Sequence, residues 1–472
     1  MIPFSMQDVV RATQGRLVGT KGGSIEFLGV STDTRSIEKG SLFCALRGES
    51  YDGHKFVSEA FKRGALAALV DERAFSELDT LKLSTETHPL IVVEDVYRAL
   101  GLIASFYREQ FQLPVIGITG SSGKTTTKEC VAAVLSFYKQ VCVGRANLNN
   151  HIGLPLNLFN LASGDQCAVF EMGASASGEI GYLSLIAKPT IGVVTCVHAA
   201  HLKGFGSLDT IYRTKLELAD FLGNSGGVLF VNGDDEVLVR MAFERTKKIK
   251  TFGQSSKCDY QVSGACQDGE FLKFTVNKQH SFRLKGYGIF NIMNAVAALA
   301  VADFLGYSLE ELSAQWREFV SVNNRFQVED WSSSKVRIVK DCYNANPQAF
   351  KVALQSFNNL QVSGKKIIVA GDMKELDREA ENYHRILGAE LAQCDADFIV
   401  LIGDFAGIVM QAIHERNYKI PTIQCANNQQ VAEFLRSILT VGDAVFFKGS
   451  RSMRLEEAID ILRHELEVQP LV

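Results

Sequence analysis

The chain has 472 residues, 46% apolar and 22% charged. That is the balance of a folded globular protein of about three domains, and it excludes disorder, collagen-like repeats and coiled coil as the main architecture. Lys and Arg number 49 against 53 Asp and Glu, a formal net charge of −4, so no global basic field exists for nucleic acid or an anionic membrane, and any phosphate must be bound locally.

Residues 1–113 mix short apolar runs with turns. Leu42–Leu46 and Ala67–Val70 read as strands, and His54–Gly64 as a helix between them. Pro114 precedes a sharp strand, Val115–Thr119. Strand and helix then alternate to about Asn323, with Cys167–Glu171, Ile191–Val197 and Val228–Asn232 as strands and Cys258–Leu284 as a small antiparallel insertion. Beyond it one βα unit repeats: strands Arg337–Lys340, Ile367–Ala370, Phe398–Ile402 and Ala444–Phe447 each end in a polar or Gly-containing step. The expected architecture is α/β in three domains, 1–113, 114–322 and 323–472: a central parallel-sheet domain with a phosphate loop and a Rossmann-like last domain, with ligands at the carboxyl ends of the strands. Ten cysteines lack any C-x-x-C pair, the first residues carry no basic-then-apolar signal, and no apolar run nears the ~20 residues of a membrane span. A cytoplasmic protein with reduced thiols is expected, with no nucleic-acid partner and no membrane insertion.

The strongest local motif is V-I-G-I-T-G-S-S-G-K-T-T-T, residues 115–127. A strand feeds a Gly/Ser turn, and a helical pattern follows with Val131, Val134, Leu135 and Tyr138 on one face. The backbone N–H groups of Gly120, Ser121, Ser122, Gly123 and the helix start through Thr126 form an anion cradle. Lys124 would reach the outer phosphates, and the Thr125 hydroxyl would ligate Mg²⁺. Ile118 stands where the strict G-x-x-x-x-G-K-[ST] pattern has Gly, so the match is to a shorter T-G-x-x-G-K-T loop. The plain alternative is a Gly-rich turn without a ligand.

Glu171 closes one predicted strand, and His198 and His201 follow the next. A carboxylate and an imidazole there could hold a metal between nucleotide and substrate; spacing alone does not choose between the two histidines. Read as one helix, Ser207–Leu222 places Leu208, Ile211, Lys215, Leu218 and Leu222 on one apolar stripe. A desolvated lysine loses its proton readily, and a neutral amine can take up CO2 as a carbamate. A lysine that snorkels past its neighbours is the plain reading. R-A-N-L-N-N-H-I-G-L-P crowds Asn147, Asn149 and Asn150 together, either as a tight turn or as a polar recognition loop. Asn291 opens an Ala-rich helix as an N-cap or a contact residue. D-C-Y-N-A-N-P, residues 341–347, and K-G-S-R-S, residues 448–452, follow strands of the last block and offer charge to a carboxylate or phosphate.

Together T-G-S-S-G-K-T, N-L-N-N-x-I-G-L-P, E-M-G-A and H-L-K-G-F-G-S with a lysine in the next helix resemble the Mur ligases, the ATP-dependent enzymes that build the peptide stem of peptidoglycan. The likeness runs through the whole chain in order. S-T-D-T-R-S, G-D-M-K-E-L, D-C-Y-N-A-N-P and K-G-S-R-S point to the branch that adds D-alanyl-D-alanine to UDP-N-acetylmuramoyl-tripeptide, by way of an acyl phosphate. The resemblance implies that Lys124 and Thr125 bind ATP and Mg²⁺, that Glu171 and His201 ligate Mg²⁺, and that Lys215 is carbamylated beside the metal. It implies adenine contact by Asn291, and nucleotide contacts by Arg325 and Asp341 from the last domain. Tyr343, Asn344, Asn346, Lys448, Ser450 and Arg451 would lie near the incoming amine, and Ser31, Thr32, Arg47 and the 48–54 region at the UDP-sugar. Phe290 replaces a His common before the adenine-contacting Asn, and its ring can still stack on adenine. Lys203 replaces a common acidic residue. A monomer that starts open and closes its domains around its substrates is expected. The alternatives are a sibling ligase adding the third, diamino-acid residue and a non-catalytic nucleotide-binding relative.

Overall fold

The structure is a computed structural model that describes residues 2–19, 25–49, 51–79, 88–145, 147–199, 202–332, 334–417 and 419–468. Three main sheets follow one another along the chain. The first runs Arg16–Val18, Leu90–Val93, Ala67–Asp71, Ser41–Cys44, Gly29–Ser31 in space, parallel except for the antiparallel edge strand Arg16–Val18. The second has nine strands. Its parallel part reads Val141–Val143, Cys167–Glu171, Val115–Thr119, Ile191–Val194, Val228–Asn232, Ile249–Gly253. It continues into Tyr260–Asp268, Phe271–Val276 and His280–Lys285, the last two joined antiparallel, as the sequence predicts for this segment. The third has six strands: Gln327–Trp331 antiparallel at one edge, then Val336–Asp341, Ala444–Lys448, Lys366–Gly371, Phe398–Ile402 and Thr422–Cys425 in parallel.

The middle strands are apolar up to their last residue because helices cover both faces. Every residue of Val115–Thr119 and Cys167–Glu171 is buried. Their register sets Glu171 beside Ile118 and Val194 beside Thr119, so three strands end level at one edge. The helix Asn291–Phe304 is buried over most of its surface, and its run of alanines lets it lie close against the helix Lys124–Ser136. The helix Val96–Glu109 packs on Gly153–Leu158 and Glu179–Ala187, so the first and middle blocks share one apolar core. All ten cysteines are free thiols. Among the described residues no helix is long and apolar enough to cross a membrane.

Three details differ from the sequence reading. Ser207–Leu222 is not one helix: Leu208–Lys215 ends at Leu216 and Glu217–Ser225 begins anew. Glu217 turns to accept Gly178 N–H at 2.7 Å and Gly181 N–H at 2.8 Å, and these long-range bonds accompany the break. Leu208 is therefore off the stripe and exposed, whereas Ile211, Lys215, Leu218 and Leu222 are buried. The helix predicted over His54–Gly64 begins as a 3-10 turn, Gly53–Phe56, because Asp52 accepts His54 N–H at 3.1 Å. The open arrangement expected from the sequence is not met at the phosphate loop, where residues of the last block already make direct hydrogen bonds.

Candidate active site

Gly120 and Gly123 adopt φ of +145° and +80°, the conformations that turn the chain from strand to helix. A Cβ on Gly120 would lie 2.0 Å from Thr195 Oγ1, and one on Gly123 2.6 Å from Asn294 Oδ1, so only glycine fits either place. The turn is tied to the next strand's end: Ser121 N–H donates to Cys196 O at 2.8 Å, and Thr195 Oγ1 to Ser122 O at 2.5 Å. His198 Nε2 lies 2.9 Å from Ser122 Oγ. The sequence reading does not assign Thr195, Cys196 or His198 to this loop; the T-C-V-H run after a strand is the signal that could have done so. Lys124 folds back to donate to Gly120 O at 3.0 Å. Desolvation lowers its pKa, Glu171 opposing and Arg325 adding to the effect.

Glu171 is buried, and both its oxygens are engaged. Oε2 accepts from Thr125 Oγ1 at 2.7 Å and Oε1 from Asn149 Nδ2 at 2.7 Å. Asn150 accepts the N–H groups of Ile152 and Gly153, so it shapes the turn that presents Asn149, and Asn147 is exposed on the same loop. From the last block, Arg325 Nη2 reaches Thr125 Oγ1 at 3.1 Å while its guanidinium lies 4.1 Å from the Tyr343 ring. Asn346 caps the helix Pro347–Asn358 and donates to Ser122 Oγ at 3.3 Å.

Lys215 is 2% exposed, its ammonium 3.5 Å from Ala174 O and 5.4 Å from the Phe205 ring. Burial and then Lys124 push its pKa from 10.5 to about 7, with Glu179 and Glu217 pulling the other way. A large share of this amine is therefore neutral near pH 7. His201 lies outside the described residues. Among the described residues no three His, Cys, Asp or Glu side chains gather as a metal-binding group. The donors at hand are one hydroxyl, Thr125, and one carboxylate, Glu171. That set fits Mg²⁺, which takes one or two protein oxygens and completes its shell with water and phosphate.

Asn291 is the first helical residue and not a cap: its Nδ2 donates to Tyr287 O at 2.9 Å, and its Oδ1 accepts from Asn294 at 3.0 Å. A cleft of about 460 Å³ opens beside Ile289 and Phe290, walled on the far side by Val352, Gln355 and Ser356. Asp341 is paired with the buried Lys448 at 2.6 Å; desolvation raises the acid's pKa against the pull of that lysine and of Arg325. Lys448 also donates to Asn344 O at 3.3 Å. Ser450 is buried and accepts Lys374 N–H at 2.8 Å, and exposed Arg451 pairs with Glu456. The last block's candidates therefore divide: Arg325, Tyr343 and Asn346 adjoin the phosphate loop, Asp341 and Lys448 form a buried pair, and Arg451 points elsewhere.

The first-block candidates form a separate group. Ser31 Oγ donates to Asp33 O at 2.9 Å, Thr32 is half-buried beside it, and Arg47 stands between Asp52 at 3.4 Å and Asp71 at 3.5 Å. His54 is buried, with Nδ1 2.7 Å from Asp52 and Nε2 accepting Asp71 N–H at 3.2 Å.

Comparison with known proteins agrees over the whole length. Residues 26–108 match the Mur ligase family catalytic domain, 118–302 the Mur ligase middle domain, and 324–451 the Mur ligase glutamate ligase domain. A UDP-N-acetylmuramoyl-tripeptide–D-alanyl-D-alanine ligase of Bacillus subtilis (strain 168) is 32% identical over 460 residues, covering 97% of this chain and 98% of the relative. The enzyme of that name from Escherichia coli (strain K12) is 28% identical over 467 residues, 98% and 99% of the two chains. A MurF crystal structure from Acinetobacter baumannii superimposes with TM-score 0.87 at 30% identity over 98% of this chain and 99% of its own. The MurF ligase of Thermotoga maritima in complex with ADP gives 0.81 at 28% identity over 93% and 98%. A diaminopimelate-adding ligase shares the fold at 20% identity with TM-score 0.54. With a phosphate loop, a carboxylate and a buried lysine set at one sheet edge, and matches that run from end to end, this chain belongs to the Mur ligase family.

Proposed function

We propose that the chain joins D-alanyl-D-alanine to UDP-N-acetylmuramoyl-tripeptide at the cost of ATP, giving UDP-N-acetylmuramoyl-pentapeptide, ADP and phosphate for peptidoglycan synthesis. The observation that carries the chemistry is the Thr125–Glu171 hydrogen bond with Arg325 closing over it. It joins the phosphate loop, an acidic strand end and the last block at one point.

In this reading the loop's N–H groups and Lys124 hold the outer phosphates, Lys124 leaving Gly120 O to do so. The terminal carboxylate of the tripeptide attacks the γ-phosphorus, the bond from that phosphorus to the bridging oxygen of ADP breaks and ADP leaves, and the carboxylate becomes an acyl phosphate. The amine of D-alanyl-D-alanine then attacks the acyl carbon and phosphate leaves. A carboxylate is a poor electrophile, which is why it must first be phosphorylated. Catalysis rests on positioning and charge, as in other phosphoryl transfers. Thr125, Glu171 and His201 would hold Mg²⁺, which supplies charge neutralisation of the phosphates. Neutral Lys215 would take up CO2, and the carbamate's oxygens would face the same region. Asn291 and the cleft beside Phe290 would receive adenine, and Arg325, Asp341 and Tyr343 would hold the nucleotide from the last block. Asn147, Asn149 and Asn150 would contact the acyl substrate, Asn344, Asn346 and the Lys448–Arg451 loop the amine, and Ser31, Thr32 and Arg47 the UDP-sugar. The domains are taken as 1–113, 114–322 and 323–472, in a cytoplasmic monomer.

Phosphate release from ATP by the purified chain tests this. Turnover is expected with UDP-N-acetylmuramoyl-tripeptide plus D-alanyl-D-alanine and not with UDP-N-acetylmuramoyl-dipeptide plus a diamino acid. Turnover only with the second pair would overturn the assignment in favour of the sibling activity.

A further inference from the structure

The residue that carries the reacting carboxylate is the third residue of the acyl substrate's peptide. Its side chain must therefore lie within a few ångströms of the Glu171–Lys215 region when its carboxylate is there. A cavity of about 200 Å³ opens at that place, lined by Asn150, His151, Gly173, Ser177, Glu179 and Tyr182 among others.

Two walls tie it to the site. Gly173 N–H donates to Asn149 O at 2.8 Å, and Asn149 holds Glu171. A Cβ on Gly173 would meet the Asn149 side chain at 2.8 Å, so glycine lets Asn149 pack against this wall. On the other side Ser177 Oγ lies 3.4 Å from Thr214 Oγ1, the neighbour of Lys215. The charged wall is Glu179. Its Oε2 accepts Ser175 N–H at 2.6 Å and Ala176 N–H at 3.1 Å, which fixes the side chain. Oε1 has no hydrogen bond to the described residues, and Glu179 borders the cavity. A mostly apolar cavity with one anchored carboxylate suits a methylene chain that ends in a cation.

We propose that this cavity receives the side chain of the third stem residue, and that Glu179 selects a diamino acid there by pairing with its side-chain ammonium. The inference rests on the ligase reading above. Glu179 is a specificity-determining residue; it takes no part in the chemistry.

The test uses the full chain with ATP, D-alanyl-D-alanine and three UDP-N-acetylmuramoyl-tripeptides whose third residue is 2,6-diaminopimelate, lysine or norleucine. Norleucine has the chain without the ammonium. The native chain should show a KM for the norleucine substrate about tenfold or more above the other two, the range of a charge-assisted hydrogen bond. Glu179→Gln keeps an acceptor for Ser175 and Ala176 and removes the charge. It should raise KM for the two ammonium-bearing substrates to the norleucine level and leave KM for ATP unchanged. A second variant, Ser177→Phe, fills the cavity from an exposed position and should raise KM for all three tripeptides, again with ATP unaffected. Equal KM values in the native chain would overturn the assignment, as would a Glu179→Gln variant that still discriminates or that weakens all three substrates alike. An absence of turnover with every tripeptide would instead overturn the ligase reading beneath it.

Discussion

Replacing Lys215 with Met should stabilise the protein near neutral pH while abolishing its activity. Lys215 is 2% exposed, and burial with the neighbouring Lys124 brings its pKa from 10.5 to about 7. At ~1.36 kcal/mol per tenfold change in proton affinity, that fall corresponds to about 5 kcal/mol between the two protonation states. The unfolded chain keeps this proton up to about pH 10.5, and the folded chain gives it up above about pH 7. Between those values the unfolded state binds more protons, so folding stability rises with pH. The cost of burying the amine is therefore about 4 kcal/mol at pH 7 and below about 1 kcal/mol at pH 10.5. Methionine fills similar space with no charge, so the variant should gain several kcal/mol over the native chain at pH 7, and the gain should fade by about pH 10. Urea midpoints followed by a probe in the middle block, in buffers free of Mg²⁺ and CO2, read this difference directly. Groups that do not interact with Lys215 titrate alike in the two proteins and cancel. A stability gap of the same size at both pH values would refute the reasoning. In the ligase assay the variant should lose more than about a hundredfold in kcat, in the range seen when one transition-state contact is removed, and recover part of it with short carboxylic acids. Full activity would remove the carbamate.

Three further outcomes follow from single contacts. Arg325→Ala removes the guanidinium from the Thr125 hydroxyl and from the Tyr343 ring, so KM for ATP should rise about tenfold in steady-state kinetics. Lys128→Met removes a buried ammonium that donates to Gly144 O at 2.6 Å and pairs with Glu129 at 2.9 Å. Gly144 leads into the loop bearing Asn149, so kcat should fall about tenfold while calorimetry shows ATP affinity unchanged. Gly403→Ala places a Cβ 2.3 Å from the Asp372 carboxylate at a φ of +123°. It should cost about 2–4 kcal/mol by urea denaturation.

Much of the framework was legible because its causes are local. The strands Val115–Thr119, Cys167–Glu171, Val228–Asn232 and Phe398–Ile402 stand where their apolar runs are bounded by turn residues. The phosphate loop could be read because its two left-handed positions are glycines and a helix start follows. Lys215 could be singled out because a charge on an apolar stripe is visible in the spacing of the residues. The single helix predicted around it could not hold, because the break at Leu216 goes with Glu217 reaching two amides some 36 to 39 residues earlier in the chain. The spacing leaves Asn291 as either a cap or a contact residue; its amide bonds Tyr287 O and Asn294, which depends on how the preceding loop turns.

The sequence by itself determined the order of strands and helices, the anion-binding turn and the kinship of the whole chain. These depend on periodicity, turn chemistry and motif order, which a few neighbouring residues carry. Only the tertiary structure decided that Glu171 is shared between Thr125 and Asn149, that Arg325 reaches the phosphate loop from the last block, and that Lys215 has Lys124 as its neighbour. Those are matters of desolvation and of hydrogen bonds between segments as much as 200 residues apart. Their strength is set by everything that surrounds a group in space, and spacing along the chain does not encode it.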